Sequence, residues 1–124
     1  MAEKAPFVKT LTATTGNVAQ GSTDSFSIAE APFDGEVISV SFTPEAAVTG
    51  DDTNKRTYTL VNKGQNGSGT TVIATLDLVS GNNLVAFDEK AFTLSAVEGA
   101  TEVAEGDILA LVSTHAGTGL ADPG

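Results

Sequence analysis

In Glu36-Val37-Ile38-Ser39-Val40-Ser41-Phe42-Thr43, the side chains of Ile38, Val40 and Phe42 fall on one side and Val37, Ser39, Ser41 and Thr43 on the other. Alternation at every second residue is the period of an extended strand with one face in a core, not of a helix. Pro44 closes the stretch, because proline has no N–H to give to a ladder. Ahead of it, Ala31-Pro32-Phe33-Asp34-Gly35 has turn chemistry: the proline presets φ, and Gly35 is expected to supply a left-handed position.

The same period recurs outward in both directions. Residues 7–14 read as a first strand, closed by Thr15-Gly16-Asn17. Residues 24–29 alternate Phe26 and Ile28 with polar neighbours. Residues 45–49 allow one short helical turn before Gly50. Residues 56–63 place Tyr58 and Leu60 on one face, and residues 70–79 place Val72, Ala74, Leu76 and Leu78 inward. Three glycines in residues 64–69 mark the turn between them. One or two short strands are expected within residues 84–94, residues 91–94 being the stronger candidate, and a brief extended piece at Val103, before the tight turn Glu105-Gly106-Asp107. Residues 108–114 are almost continuously apolar, as in a central strand covered on both faces. After that strand, the tail from Gly117 to Gly124 reads as turn residues alone. About eight strands separated by turns predict an all-β, antiparallel two-sheet sandwich or barrel. The expected core is Ile38, Val40, Phe42, Leu60, Val72, Leu76, Ile108, Ala110 and Val112. A chain of 124 residues makes one domain at most, here residues 7–124, with residues 1–6 as a flexible N-terminal arm.

Composition narrows the function. Six Lys and Arg stand against sixteen Asp and Glu, a net charge of −10. That charge repels phosphate and argues against nucleic acid or an anionic membrane as partner. No cysteine is present, so there is no thiol nucleophile, no disulfide scaffold and no Cys-ligated zinc. The first apolar run is too short for a signal peptide or a membrane span, which points to synthesis in the cytoplasm without export.

Catalytic and metal signals are weak. His115 is the one near-neutral base, but a triad needs a nucleophile and an orienting acid beside it. Its neighbours Ser113 and Thr114 point to opposite faces of a strand, so His115 reads as a surface residue at a loop edge. Asp51, Asp52 and Asn54 lack the spacing of a calcium loop and read as a solvated turn. Asp88 and Lys90 share a strand face and suggest a local ion pair rather than the paired carboxylates of a glycosidase. The glycine turn lacks a phosphate-binding lysine. Residues 31–37 and 103–109 echo phrases of biotinyl and lipoyl carrier domains, but Lys55, Lys63 and Lys90 lack the methionines that flank an acceptor lysine. No catalytic residue, metal ligand or cofactor is assigned.

The order of phrases resembles the small decoration, or cement, proteins of tailed-bacteriophage heads. It runs through Ala31-Pro-Phe-Asp-Gly-Glu-Val, Gly50-Asp-Asp-Thr-Asn-Lys-Arg-Thr-Tyr, Gly67-Ser-Gly-Thr-Thr-Val-Ile, Val103-Ala-Glu-Gly-Asp-Ile-Leu and Gly117-Thr-Gly-Leu-Ala-Asp-Pro-Gly. The resemblance implies a jelly-roll-like sandwich, with a further strand expected after the final Asp-Pro-Gly. It also implies a homotrimer at three-fold and quasi-three-fold positions on the outer capsid of the virion. The major capsid protein is then the partner, and shell stabilisation is the function, with no enzyme activity. Lys4, Phe7 and Lys9, on the N-terminal segment, are the candidate capsid contacts. The alternative is a carbohydrate- or receptor-binding sandwich of a phage fibre or cell-surface binder. With no Trp and only Tyr58 to stack on sugar, that alternative has little to work with.

Overall fold

A computed structural model describes residues 8–124. These form nine strands and no helix: β1 (Asp24–Glu30), β2 (Gly35–Glu36), β3 (Ser41–Phe42), β4 (Lys55–Asn62), β5 (Thr71–Asp77), β6 (Lys90–Ala91), β7 (Thr93–Leu94), β8 (Glu102–Val103) and β9 (Ile108–Ala116). One sheet has five strands in the order β1-β9-β4-β5-β7, and the pairs β2–β8 and β3–β6 are separate two-stranded ladders. Every pairing is antiparallel. Val37, Val40, Phe42 and Val103, from the short ladders and their link, pack onto a core built on Tyr58, Leu60, Ile73, Leu76, Leu109 and Leu111 of the large sheet. The result is a β-sandwich with one long sheet and one fragmentary layer.

Aromatic rings tie the two layers together. Tyr58 lies with its ring centroid 5.2 Å from that of Phe42 and 6.5 Å from that of Phe92, both tilted. Tilted pairs at such distances add about 0.5–1.5 kcal/mol each beyond area burial. Phe92 sits where the chain leaves β6 in one layer and enters β7 in the other, and its N–H bonds the Val40 carbonyl at 2.8 Å.

Several expectations are corrected by the fold. Residues 36–43 do not form one strand. Only Gly35–Glu36 and Ser41–Phe42 are laddered, on different partners, and between them the alternation slips. Val37 and Val40 both turn inward, while Ile38 is 61% exposed. Gly35 does not have a positive φ; it simply opens β2. The left-handed glycine here is Gly106, in the turn closed by the Asp107 N–H to the Ala104 carbonyl.

Val72 is 39% exposed because β5 carries a bulge. Leu60 pairs with Ala74 and Val61 with Val72, so Ile73 is the extra residue and turns inward beside Ala74. On β9 the inward residues are Leu109 and Leu111. Leu60 pairs with Leu111, which puts Ile108, Ala110 and Val112 on the opposite face of the sheet. Ala110 is nevertheless buried, whereas Ile108 and Val112 are half-buried. Residues 8–14 are not laddered, and residues 45–49 contain bends and one bridge rather than a helical turn. Leu60, Leu76, Val40 and Phe42 do face the core as expected.

Candidate interaction surface

The tail after β9 is not loose punctuation. Asp122 exchanges two backbone hydrogen bonds with Val18, at 3.0 and 2.8 Å, and its side chain is buried. The Arg56 guanidinium, also wholly buried, donates to the carbonyls of Ser22 (2.7 Å), Leu120 (2.8 Å) and Ala19 (3.0 Å). It reaches the Ser113 hydroxyl at 3.3 Å, which in turn donates to Asp122 Oδ2 at 2.9 Å. This node pins residues 19–22 and 120–122 to β4 and β9. The Tyr58 hydroxyl is buried nearby, beside the Asp122 carboxylate but short of good hydrogen-bond geometry to it. Burial, then the Asp122 charge, pushes its pKa well above the ordinary phenol range, although Arg56 pulls the other way. The node is internal and structural: it offers no open site.

The polar residues flagged by the sequence are likewise engaged by the fold. Asp51 Oδ1 accepts the N–H groups of Asn54 and Thr53, both at 2.7 Å, which holds its pKa below the ordinary carboxylate value. Asp52 accepts the Ser80 N–H at 2.9 Å, and Asn54 Oδ1 accepts that of Thr118 at 2.9 Å. These side chains shape loops. Among the described residues no group of acids or histidines is placed to hold a metal ion. The expected Asp88–Lys90 pair is not formed; the ion pair among the described residues is Lys55–Asp77 at 2.9 Å. Glu89 instead accepts the Ser41 hydroxyl at 3.0 Å. His115 lies within β9, half-buried, with Nδ1 3.2 Å from the Thr23 hydroxyl. Tyr58 is in the core and offers no platform to a sugar.

Several large apolar side chains are nevertheless exposed around one groove. Lys9 is exposed on residues 8–15, which form one wall of a groove of about 850 Å³ whose other wall is residues 35–43. Lys4 and Phe7 lie outside the described residues. Val8, Leu11 and Ile38 are exposed along these walls. Beyond one end stands Phe87, 79% exposed, in a turn where the Asp88 N–H bonds the Val85 carbonyl. Its own N–H bonds the Pro44 carbonyl at 2.8 Å, next to the groove residue Glu45.

Phe87 is the one non-glycine residue at positive φ, 59°, among those described. A bulky L-residue held there costs roughly 1–2 kcal/mol. The fold thus holds an aromatic ring in solvent at a position that glycine or asparagine would occupy more easily. Sequence reading missed Phe87, taking residues 84–94 as one or two short strands. Periodicity carries no signal for a single left-handed residue.

The fold defines an antiparallel β-sandwich with an internal polar node and exposed apolar residues beside a groove. No family model, curated protein or solved structure matches the chain.

Proposed function

We propose that this chain is a structural virion protein, a decoration subunit that binds the outside of a tailed-phage capsid as a homotrimer and stabilises the shell. The observation that supports a binding role most directly is Phe87, exposed and strained beside an apolar groove on a strongly acidic protein. Strain kept at an exposed aromatic side chain is characteristic of a contact residue. Burying that side chain on a partner returns about 1.5–3 kcal/mol per subunit. Three subunits acting together multiply the effect through effective concentration. Net charge of −10 keeps the free protein soluble and away from packaged nucleic acid. Lys9, with Lys4 and Phe7 before it, supplies a second set of contacts to the major capsid protein. Each screened ion pair there adds only about 0–1 kcal/mol, so the folded base carries most of the affinity.

Phe87→Gly separates binding from folding. Glycine relieves the strained φ, so the urea midpoint should stay level or rise. Occupancy of undecorated capsids from the encoding phage should fall ten-fold or more at limiting protein, since about 1.4 kcal/mol is a factor of ten. Equal decoration by Phe87→Gly and parent across a dilution series would defeat the reading.

A further inference from the structure

The hairpin between β4 and β5 turns through Gly64-Gln65-Asn66-Gly67-Ser68, with residues 65–68 exposed and the Gly69 N–H bonded to the Lys63 carbonyl at 2.9 Å. Asn66 is the chain's one asparagine followed by glycine. The others precede Val18, Lys55, Lys63, Asn83 and Leu84, whose β-carbons crowd the amide nitrogen between the two residues. Two of them are also tied by their side-chain nitrogens, Asn62 to Asp107 Oδ2 at 2.9 Å and Asn82 to the Asp77 carbonyl at 2.7 Å. Gly67 stands in the open: a Cβ built on it would meet no described atom within 4 Å beyond its chain neighbours.

The side-chain oxygen of Asn66 is held by one residue twice. Oδ1 accepts the Ser68 hydroxyl at 2.6 Å and the Ser68 N–H at 3.1 Å. A hydroxyl and a backbone amide aimed at one carbonyl oxygen are the donor set of an oxyanion hole. They draw electron density from Cγ and are in place for negative charge developing on Oδ1. The nucleophile belongs to the same chain. Attack by the Gly67 nitrogen on Asn66 Cγ closes a five-membered ring and needs no bimolecular encounter.

We propose that Asn66 is a self-modification site, where the Gly67 nitrogen displaces the side-chain amide while Ser68 stabilises the charge on Oδ1. Gly67 N–H gives its proton to solvent and its nitrogen bonds Cγ, leaving the charge on Oδ1. The Cγ–Nδ2 bond then breaks, and Nδ2 takes up a proton and leaves as ammonia. Water adds to either carbonyl of the cyclic imide and opens it to aspartate or isoaspartate. The net change is amide plus water to carboxylate plus ammonium, with nothing oxidised or reduced. The product adds one negative charge at the hairpin tip, and isoaspartate lengthens the backbone there by one carbon. Exposed loop tips of small and polar residues accept such changes. The inference stands apart from the capsid reading, since it rests on one turn and on no partner.

The test keeps the folded protein in warm neutral buffer made with heavy-oxygen water and follows it by isoelectric focusing and peptide mass mapping. A more acidic species is expected, with heavy oxygen entering first at position 66. Ser68→Ala should slow the reaction about three- to ten-fold, the worth of one exposed hydrogen bond, and Ser68→Thr, which keeps the hydroxyl, should restore most of the rate. A synthetic peptide of residues 62–70, which does not hold the turn, should react more slowly than the folded protein and lose less on the same Ser68→Ala change. Reaction first at another asparagine, equal rates for parent and Ser68→Ala, or reaction confined to urea-unfolded chains would overturn the proposal. A peptide that reacts faster than the folded protein would overturn it too, because the fold would then shield Asn66 rather than activate it.

Discussion

Replacing Arg56 with Met should remove the tie between the tail and the sheet while keeping most of the side chain's length. The guanidinium makes three bonds of 2.7–3.0 Å to carbonyls on two separate segments and a longer one to the Ser113 hydroxyl. Hydrogen bonds to a charged group are worth about 1.5–3 kcal/mol each, so the gross loss is several kcal/mol. Against this, the variant no longer buries a charge, which offsets part of the loss. What remains is the cost of breaking a buried charged network, about 3–5 kcal/mol, with the carbonyls of Ala19, Ser22 and Leu120 left without the donor they had and the Asp122 carboxylate left without the nearby positive charge. A domain of this kind has only about 5–15 kcal/mol in total. Urea denaturation should show a lower midpoint at an unchanged slope. Arg56→Lys should recover only a minor part, because an ammonium cannot present donors in three fixed directions. Amide exchange should quicken first at residues 18–22 and 118–124. A loss under about 1 kcal/mol, or exchange that quickens evenly across the molecule, would refute the claim that this node holds the tail.

Two other outcomes follow from the same core and its acids. Tyr58→Phe removes a buried hydroxyl that lies beside Asp122 without good hydrogen-bond geometry, and should leave stability unchanged or raise it by up to about 1 kcal/mol; a clear loss by urea titration would show that the hydroxyl is bonded to Asp122 in solution. Asp107 is held low by the Ala104 N–H and the Asn62 amide, Asp51 by its loop N–H groups, and Asp77 by Thr57 and Lys55 despite an opposing desolvation. Their folded pKa values lie below the unfolded value of about 3.9, so the stability they contribute is present above that pH and is lost as pH falls through the lower folded values. Asp51→Asn/Asp77→Asn/Asp107→Asn should flatten the acid limb of a stability profile between about pH 5 and pH 2, and an unchanged limb would remove these three from the account.

Period-two patterning was enough to declare an all-β, antiparallel sandwich, because the alternation in residues 24–29, 56–63 and 70–79 is set by which side chains avoid water. Residues 36–43 show where that ends. Their pattern is as regular as any in the chain, yet the segment divides between β2 and β3, and Ile38 stays in solvent. Hydrophobic period says that a face exists, not which partner will ladder it. The bulge at Ile73 and the choice of Leu109 and Leu111 over Ala110 and Val112 depend on register, which is settled by pairing between strands distant in sequence.

The candidate surface was less legible. Lys9 was singled out for charge alone, and its place on the groove wall appears only once residues 8–15 and 35–43 are brought opposite each other. Phe87 has no local mark, since its positive φ is imposed by the turn at Val85–Asp88 and the bond to Pro44. Composition by itself determined the acidity and the absence of thiol chemistry. Only the tertiary structure decided that Arg56 and Asp122 would be buried together, because a charge leaves water only where several distant carbonyls converge to replace its hydration.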